Sequence, residues 1–309
     1  MNLILTQDLH DAEVLALLKR ANTFLAQDLQ YGGSLSHKVI VALFFEHSTR
    51  TIASFQNAAF RLHAHFNAFN IQSSSTKKGE SLLDTLLNLQ AMQVDLLITR
   101  HHHSSAAHFF AKHLTCPIIN AGSGSLAHPT QALLDLLTLY NHFEGQLQGK
   151  TIALVGDIKN SRVANSNIHL LPRFGVEVIL VSPPHFLPQT TLRHTPNLQE
   201  ALEVADIVMS LRTQTERHSL QTYGSLQDYA HHYCLKQSML KDKEIIILHP
   251  GPVHRNIDIE DSLLDDPRCK VLEQVKLGVA LRMALLELML VEPSEYGAKS
   301  TFKSVQTLF

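Results

Sequence analysis

The sequence predicts an α/β protein of two domains, each a parallel sheet flanked by helices. Three observations carry that expectation. Short apolar runs, too continuous for half-exposed strands, alternate with helical patterns. The alternation breaks at "EGQLQGKT" and starts afresh with "TIALVGD". The length of 309 residues suits two domains of ordinary size.

Taken in order, "HKVIVALFFE" (37–46), "VDLLITR" (94–100) and "CPIINA" (116–121) read as buried strands of the first domain. After the first of them, Ile52, Phe55, Ala59, Leu62 and Phe66 recur at three- and four-residue spacing, which predicts one helix face. "AHPTQALLDLLTLYNHF" predicts a second helix with Pro129 in its first turn and Leu133, Leu136, Tyr140 and Phe143 on one face. In the second series "TIALVGD", "VEVILVSP", "ADIVMS" and "EIIILHPGP" are the strands, and Cys269 to Leu290 is a last long helix. The boundary is expected near Gly145 to Gly149. That gives domains at 1–145 and 146–284, with the helix from about 285 to 309 returning to pack on the first. Residues 212–243 lack clear periodicity and suit a functional loop such as a lid; "NIQSSSTKKGESLLD" suits another.

Composition narrows the class. Hydrophobic residues are 45% of the chain, enough for real cores, and the net charge of −2 offers no basic face to nucleic acid. Three dispersed cysteines, Cys116, Cys234 and Cys269, form no C-x-x-C and fit a reducing compartment. The start has no basic segment of the signal-peptide kind, and no apolar run approaches the roughly 20 residues of a membrane span. A soluble cytoplasmic protein is expected, with no membrane or nucleic-acid partner. Histidine is abundant, at 20 residues, and His101-His102-His103 reads as an exposed polar turn rather than a metal cage. H-E-x-x-H, G-x-S-x-G and the Walker A pattern are absent, and "VGDIKNS" lacks the dinucleotide glycines.

The polar clusters fall just past strand ends, where open α/β sheets bind ligands. Ser48-Thr49-Arg50-Thr51 follows the first strand and opens a helix, whose unpaired N–H groups and dipole favour an anion. One hydroxyl residue would suffice for capping. A second threonine and an arginine fork point further, to phosphate oxygens. Arg100 ends a strand, where an arginine alone is usually solvated. His128, with Gln131 one turn on, is either structural or a partner for a carbonyl oxygen. Arg162 in "GDIKNSRVANS", with Arg212 and Gln214 in "SLRTQTER", suits a substrate with two carboxylates or a surface ion pair. With no Ser-His-Asp grouping and no metal shell in view, charge stabilisation is the favoured chemistry.

Assembled in order, "FFEHSTRT", "SSSTKKGES", "TRH", "HPTQALLD", "GDIKNSRVANS", "LRTQTER" and "LHPGPVHRN" resemble the transcarbamoylases over nearly the whole chain. The lysine loop, the R-x-Q element and H-P-G-P resemble the aspartate branch; ornithine-specific members typically carry cysteine in an H-C-L-P segment. His47 stands where the family often has proline, and His254 where asparagine is common. The resemblance implies carbamoyl transfer from carbamoyl phosphate to L-aspartate, in pyrimidine biosynthesis, without metal or cofactor. It assigns carbamoyl phosphate to Ser48, Thr49, Arg50, Thr51, Arg100, His128 and Gln131. Ser74 and Lys78 would arrive from the neighbouring subunit of a homotrimer. Aspartate would be held by Lys78, Arg162, Arg212, Gln214 and the backbone at Gly251 and Pro252. Arg50, Thr51, Lys78, Arg100 and His128 would act in catalysis. A regulatory or other pyrimidine-pathway chain is a possible further partner.

Overall fold

The computed structural model describes residues 1–30, 33–70, 81–212, 225–241 and 243–291. It divides into two units: Met1–Leu137 with Val275–Phe309, and Thr138–Gln274.

The first unit holds a four-stranded parallel sheet in the order β2-β1-β3-β4, with β1 at Val39–Phe44, β2 at His65–Asn70, β3 at Leu96–His101 and β4 at Ile118–Ser123. Phe44 pairs with Arg100, and Thr99 with Asn120, so the carboxyl ends of β1, β3 and β4 share one edge. On one face Val41, Leu43 and Leu97 pack with Leu86 and Leu89 of α3 (Leu82–Ala91) and Phe110 of α4 (Ala106–His113). Helices α1 (Asp11–Ala26) and α2 (Thr49–Arg61) bury Leu17, Leu18, Phe24 and Phe55 completely. Helix α9 (Val271–Leu290) is tied to α1 by a two-pronged ion pair, Arg20 Nε to Glu287 Oε2 at 2.7 Å and Nη2 to Oε1 at 3.0 Å.

The second unit is a five-stranded parallel sheet, β7-β6-β5-β8-β9, with β5 at Thr151–Val155, β6 at Glu177–Val181, β7 at His194–Thr195, β8 at Ile207–Ser210 and β9 at Ile246–Leu248. Its helices are α6 (Arg162–Leu170), α7 (Leu198–Leu202) and α8 (Leu226–Tyr233). Val155, Val181 and Val208 pack with Phe186 and with Tyr229 of α8.

Four expectations are corrected. Phe66 does not continue the α2 face: Leu62 ends the helix, His63 turns at φ 60°, and "HFNAFN" becomes edge strand β2. Its strand state comes from parallel pairing with β1, Val39 opposite His65 through Phe44 opposite Asn70. Within 212–243, residues 226–233 form α8, started by Ser225, whose Oγ accepts from the Asp228 N–H at 3.1 Å. His101 is buried at the end of β3, its Nδ1 accepting the N–H of His103 at 2.8 Å; only His102 and His103 are exposed. Helix α5 (Pro129–His142) buries Ala132, Leu134 and Leu137 as well as Leu133 and Leu136, so it is internal rather than one-faced. Residues 213–224 and the loop "IQSSSTKKGE" lie outside the described residues.

Candidate active site

The apolar run of β1 ends at Phe44, and Glu46, His47 and Ser48 carry the chain into α2. Ser48 occupies the N-cap with φ −158° and ψ 77°, and its side chain makes no capping hydrogen bond. A helix start directs its first N–H groups and the positive end of its dipole outward, the arrangement that suits an anion. Thr49 and Arg50 are exposed beside it, and Thr51 is buried in the first turn. A hollow of about 340 Å³ lies here, lined by Glu46, His47, Ser48 and Thr49 together with Phe44, Ile52, Ala53 and Gln56.

Arg100 adjoins this turn because β3 pairs with β1. Its carbonyl accepts the Phe45 N–H at 2.8 Å, and its guanidinium reaches Glu46 Oε2 at 3.3 Å and the Ala121 carbonyl at 3.2 Å. The cation is thus held between the ends of β1 and β4. His128, 5% exposed, precedes Pro129 at the start of α5; its carbonyl accepts the N–H of Gln131 at 3.0 Å, and its Nδ1 lies 3.4 Å from Thr130 Oγ1.

The Gln131 amide donates through Nε2 to Asp135 Oδ1 at 2.9 Å, which turns its carbonyl oxygen away from that carboxylate. Asp135 is fully buried, and the cation acting on it is Arg282 of α9. Burial lowers the Arg282 pKa to about 10, against the pull of Asp135, so the guanidinium is still charged near neutrality. Its Nη1 donates to Ser54 Oγ of α2 and to the Gly278 carbonyl, both at 3.0 Å, and it sits 5.0 Å from the Phe55 ring centre. Sequence reasoning missed Glu46, Asp135 and Arg282. The i, i+4 spacing of Gln131 and Asp135 was a readable signal; Arg282 had none, because its partners are set by tertiary packing.

In the second unit, Arg162 begins α6 and is 6% exposed, after Ser161, whose Oγ accepts the Ala164 N–H at 3.1 Å. Arg212 follows β8 after Leu211, whose N–H donates to the Val155 carbonyl at 2.9 Å. Gly251 and Pro252 follow β9, joined by a cis peptide, with Gly251 at φ 69°. These three positions stand past the carboxyl ends of neighbouring strands β5, β8 and β9. Ser74, Lys78 and Gln214 lie outside the described residues. Among the described residues no group of three His, Cys, Asp or Glu side chains could hold a metal ion, and no helix is long and apolar enough to cross a membrane.

Two parallel-sheet units, each with cations and helix starts at the carboxyl edge, define an α/β transferase built for anionic substrates. The chain belongs to the aspartate/ornithine carbamoyltransferase family: the carbamoyl-P binding domain model matches residues 1–141 and the Asp/Orn binding domain model residues 148–289. It is 57% identical over 299 residues to an aspartate carbamoyltransferase catalytic subunit of Helicobacter pylori, covering 94% of this chain and 97% of that one. The corresponding Helicobacter hepaticus protein is 55% identical over 289 residues, with 93% and 97% covered. Among solved structures, aspartate transcarbamoylase of Trypanosoma cruzi in complex with N-(phosphonacetyl)-L-aspartic acid superposes with a TM-score of 0.86 at 31% identity, covering 94% of this chain and 96% of that one. The catalytic subunit of M. jannaschii aspartate transcarbamoylase gives 0.84 at 31% identity, covering 95% and 99%.

Proposed function

We propose that the chain transfers the carbamoyl group of carbamoyl phosphate to the amine of L-aspartate, giving N-carbamoyl-L-aspartate and phosphate, in cytoplasmic de novo pyrimidine biosynthesis. The observation that carries this reading is the start of α2 at Ser48, whose side chain makes no capping bond, with Arg100 held beside it by strand pairing. Relatives named for this reaction at above half identity support the acceptor.

In this reading the phosphate rests on the N–H groups and side chains of Ser48, Thr49, Arg50 and Thr51, with Arg100 alongside. Thr51, Arg100 and His128 face the carbonyl oxygen, and the Gln131 carbonyl accepts from the carbamoyl NH₂. Arg162, Arg212, Gln214 and the backbone at Gly251 and Pro252 hold aspartate. Its uncharged amine attacks the carbonyl carbon; the new N–C bond forms, the C–O bond to phosphate breaks, and the departing phosphate takes the amine proton. No protein base is needed. Positioning of two reactants is worth up to about 7–11 kcal/mol, and each oxyanion donor about 3–4 kcal/mol. The chain is read as a homotrimer in which a neighbouring subunit supplies Ser74 and Lys78. Mixing inactive Lys78→Ala and Arg50→Ala proteins would then restore activity, and no recovery after demonstrated subunit exchange would remove the shared site.

The test of the substrate reading is inhibition by N-(phosphonacetyl)-L-aspartic acid. Inhibition competitive with carbamoyl phosphate and weakened about 100-fold by Arg50→Ala supports it; inhibition unchanged by that substitution overturns it.

A further inference from the structure

We infer that Asp258 is a positioning residue for the acceptor substrate, clamping the end of β8, which leads into Arg212, to the turn after β9 that carries Gly251 and Pro252. This rests on the aspartate assignment above and adds residues that touch no substrate in it.

The clamp is built from both the main chain and the side chain of Asp258, which is 1% exposed. Its carbonyl accepts from Ser210 Oγ and from the Leu235 N–H, each at 3.1 Å. Ser210 is the last residue of β8, two before Arg212. The Asp258 carboxylate Oδ2 lies 3.1 Å from His249 Nε2 and accepts the His254 N–H at 2.9 Å. His249 in turn holds Gly251: its Nδ1 accepts the Gly251 N–H at 2.8 Å. A ring nitrogen that accepts carries no proton, so in the neutral ring Nε2 does, and it donates to Asp258. The chain of bonds therefore runs in one sense only, from the Gly251 N–H into the ring and from the ring into the carboxylate. The His249 N–H is fixed separately by Gln274 Oε1 at 3.0 Å.

Stability alone is a poor account of this carboxylate. Both side chains of the His249–Asp258 pair are fully buried, and Asp258 Oδ1 has no hydrogen-bond partner among the described residues. A buried carboxylate oxygen left unpaired costs free energy, and an apolar residue would pack there without that cost. What Asp258 supplies and an apolar residue cannot is directional acceptance of two N–H groups from one turn, in register with β8. A turn that must present its backbone to a ligand needs that kind of fixation.

The experiment is steady-state kinetics on the full chain with both substrates varied, for Asp258→Leu, His249→Asn and Arg212→Ala. Asparagine at 249 keeps an acceptor near the Nδ1 position for the Gly251 N–H and deletes the bond to Asp258. The expected result is an aspartate KM raised about 10-fold by each of the first two, as for one buried hydrogen bond, with the carbamoyl phosphate KM within about twofold of wild type. A merely structural role would move both constants together or neither, and that result overturns the inference. If Asp258→Leu does not fold, His249→Asn and Ser210→Ala decide by the same split. An unchanged aspartate KM in Arg212→Ala would overturn the aspartate assignment and the inference with it. A raised one beside unchanged clamp variants would overturn the inference alone.

Discussion

Arg100 and Glu46 meet at 3.3 Å across the ends of two paired strands, while the same guanidinium donates to the Ala121 carbonyl at 3.2 Å. Both side chains keep some exposure, 15% and 22%, so the pair contributes little to stability and much to where the cation points. Arg100→Ala is expected to lower kcat about 100- to 1,000-fold through loss of a donor to the developing oxyanion. Glu46→Ala, which frees the guanidinium to wander, should cost about 10-fold, and the double variant should be no worse than Arg100→Ala alone. Additive losses in the double variant would show that Glu46 acts elsewhere.

Arg282 is a buried cation whose protonated form is favoured by the charge of a buried carboxylate, Asp135. Removing one of two such opposite buried charges takes that compensation from the other. Arg282→Met is therefore expected to destabilise the chain by about 3–5 kcal/mol in urea unfolding, and adding Asp135→Leu should recover most of it. A loss below about 1 kcal/mol for the single variant would contradict the pairing.

Gly156 ends the β5 turn at φ +127°, and a Cβ there would lie 2.9 Å from the Leu211 carbonyl and 3.0 Å from the Tyr229 hydroxyl. Neither neighbour is a flexible tip: one is the backbone just before Arg212 and the other a buried ring. Gly156→Ala is expected to cost about 1–3 kcal/mol and to raise the aspartate KM more than the carbamoyl phosphate KM. Thermal melting and the two KM values check both parts; an alanine variant with wild-type constants would refute them.

His101 gives a pH dependence of stability. Burial, and then the charges of His102 and His103, lower its pKa from 6.5 to about 4, with Glu46 opposing. Its ring stacks at 4.3 Å on His102 and 5.2 Å on His103, and lies 4.4 Å from the Phe45 ring. Between pH 6.5 and about 4 the unfolded chain binds this proton and the folded chain does not, so stability falls as pH falls through that window, by up to about 1.4 kcal/mol per unit. His101→Asn, which keeps an acceptor for the His103 N–H, should flatten that slope in urea titrations at pH 4.5, 5.5 and 7, values spanning about the window itself. An unchanged slope would show that His101 takes up its proton as readily folded as unfolded.

The fold was legible where burial on both faces leaves unbroken apolar runs, as in β1, β3, β5 and β8, and where helix starts carry their own chemistry, as at Pro129. It was illegible where period and environment disagree. Phe66 fits the α2 repeat by spacing, yet His63 turns the chain before it, and only the backbone reveals the turn. Helix α8 was hidden by its histidines and tyrosines, although Ser225 and Asp228 mark its start. The substrate-facing candidates could be named from strand ends and hydroxyl–arginine clusters, because those residue types are unusual past a buried strand. The residues behind them could not. Asp135, Arg282 and Asp258 act through partners up to 228 positions away, as Arg282 does with Ser54, and no local pattern encodes such a meeting.

Carbamoyl phosphate at the α2 start and aspartate as acceptor are both reached by one assay. Purified chain is incubated with carbamoyl phosphate and either L-aspartate or L-ornithine, and the carbamoylated product is quantified. Saturable formation of N-carbamoyl-L-aspartate, abolished by Arg50→Ala, with no carbamoylated ornithine, is the predicted result. Carbamoylation of ornithine in its place, or turnover of aspartate that survives Arg50→Ala undiminished, would contradict it.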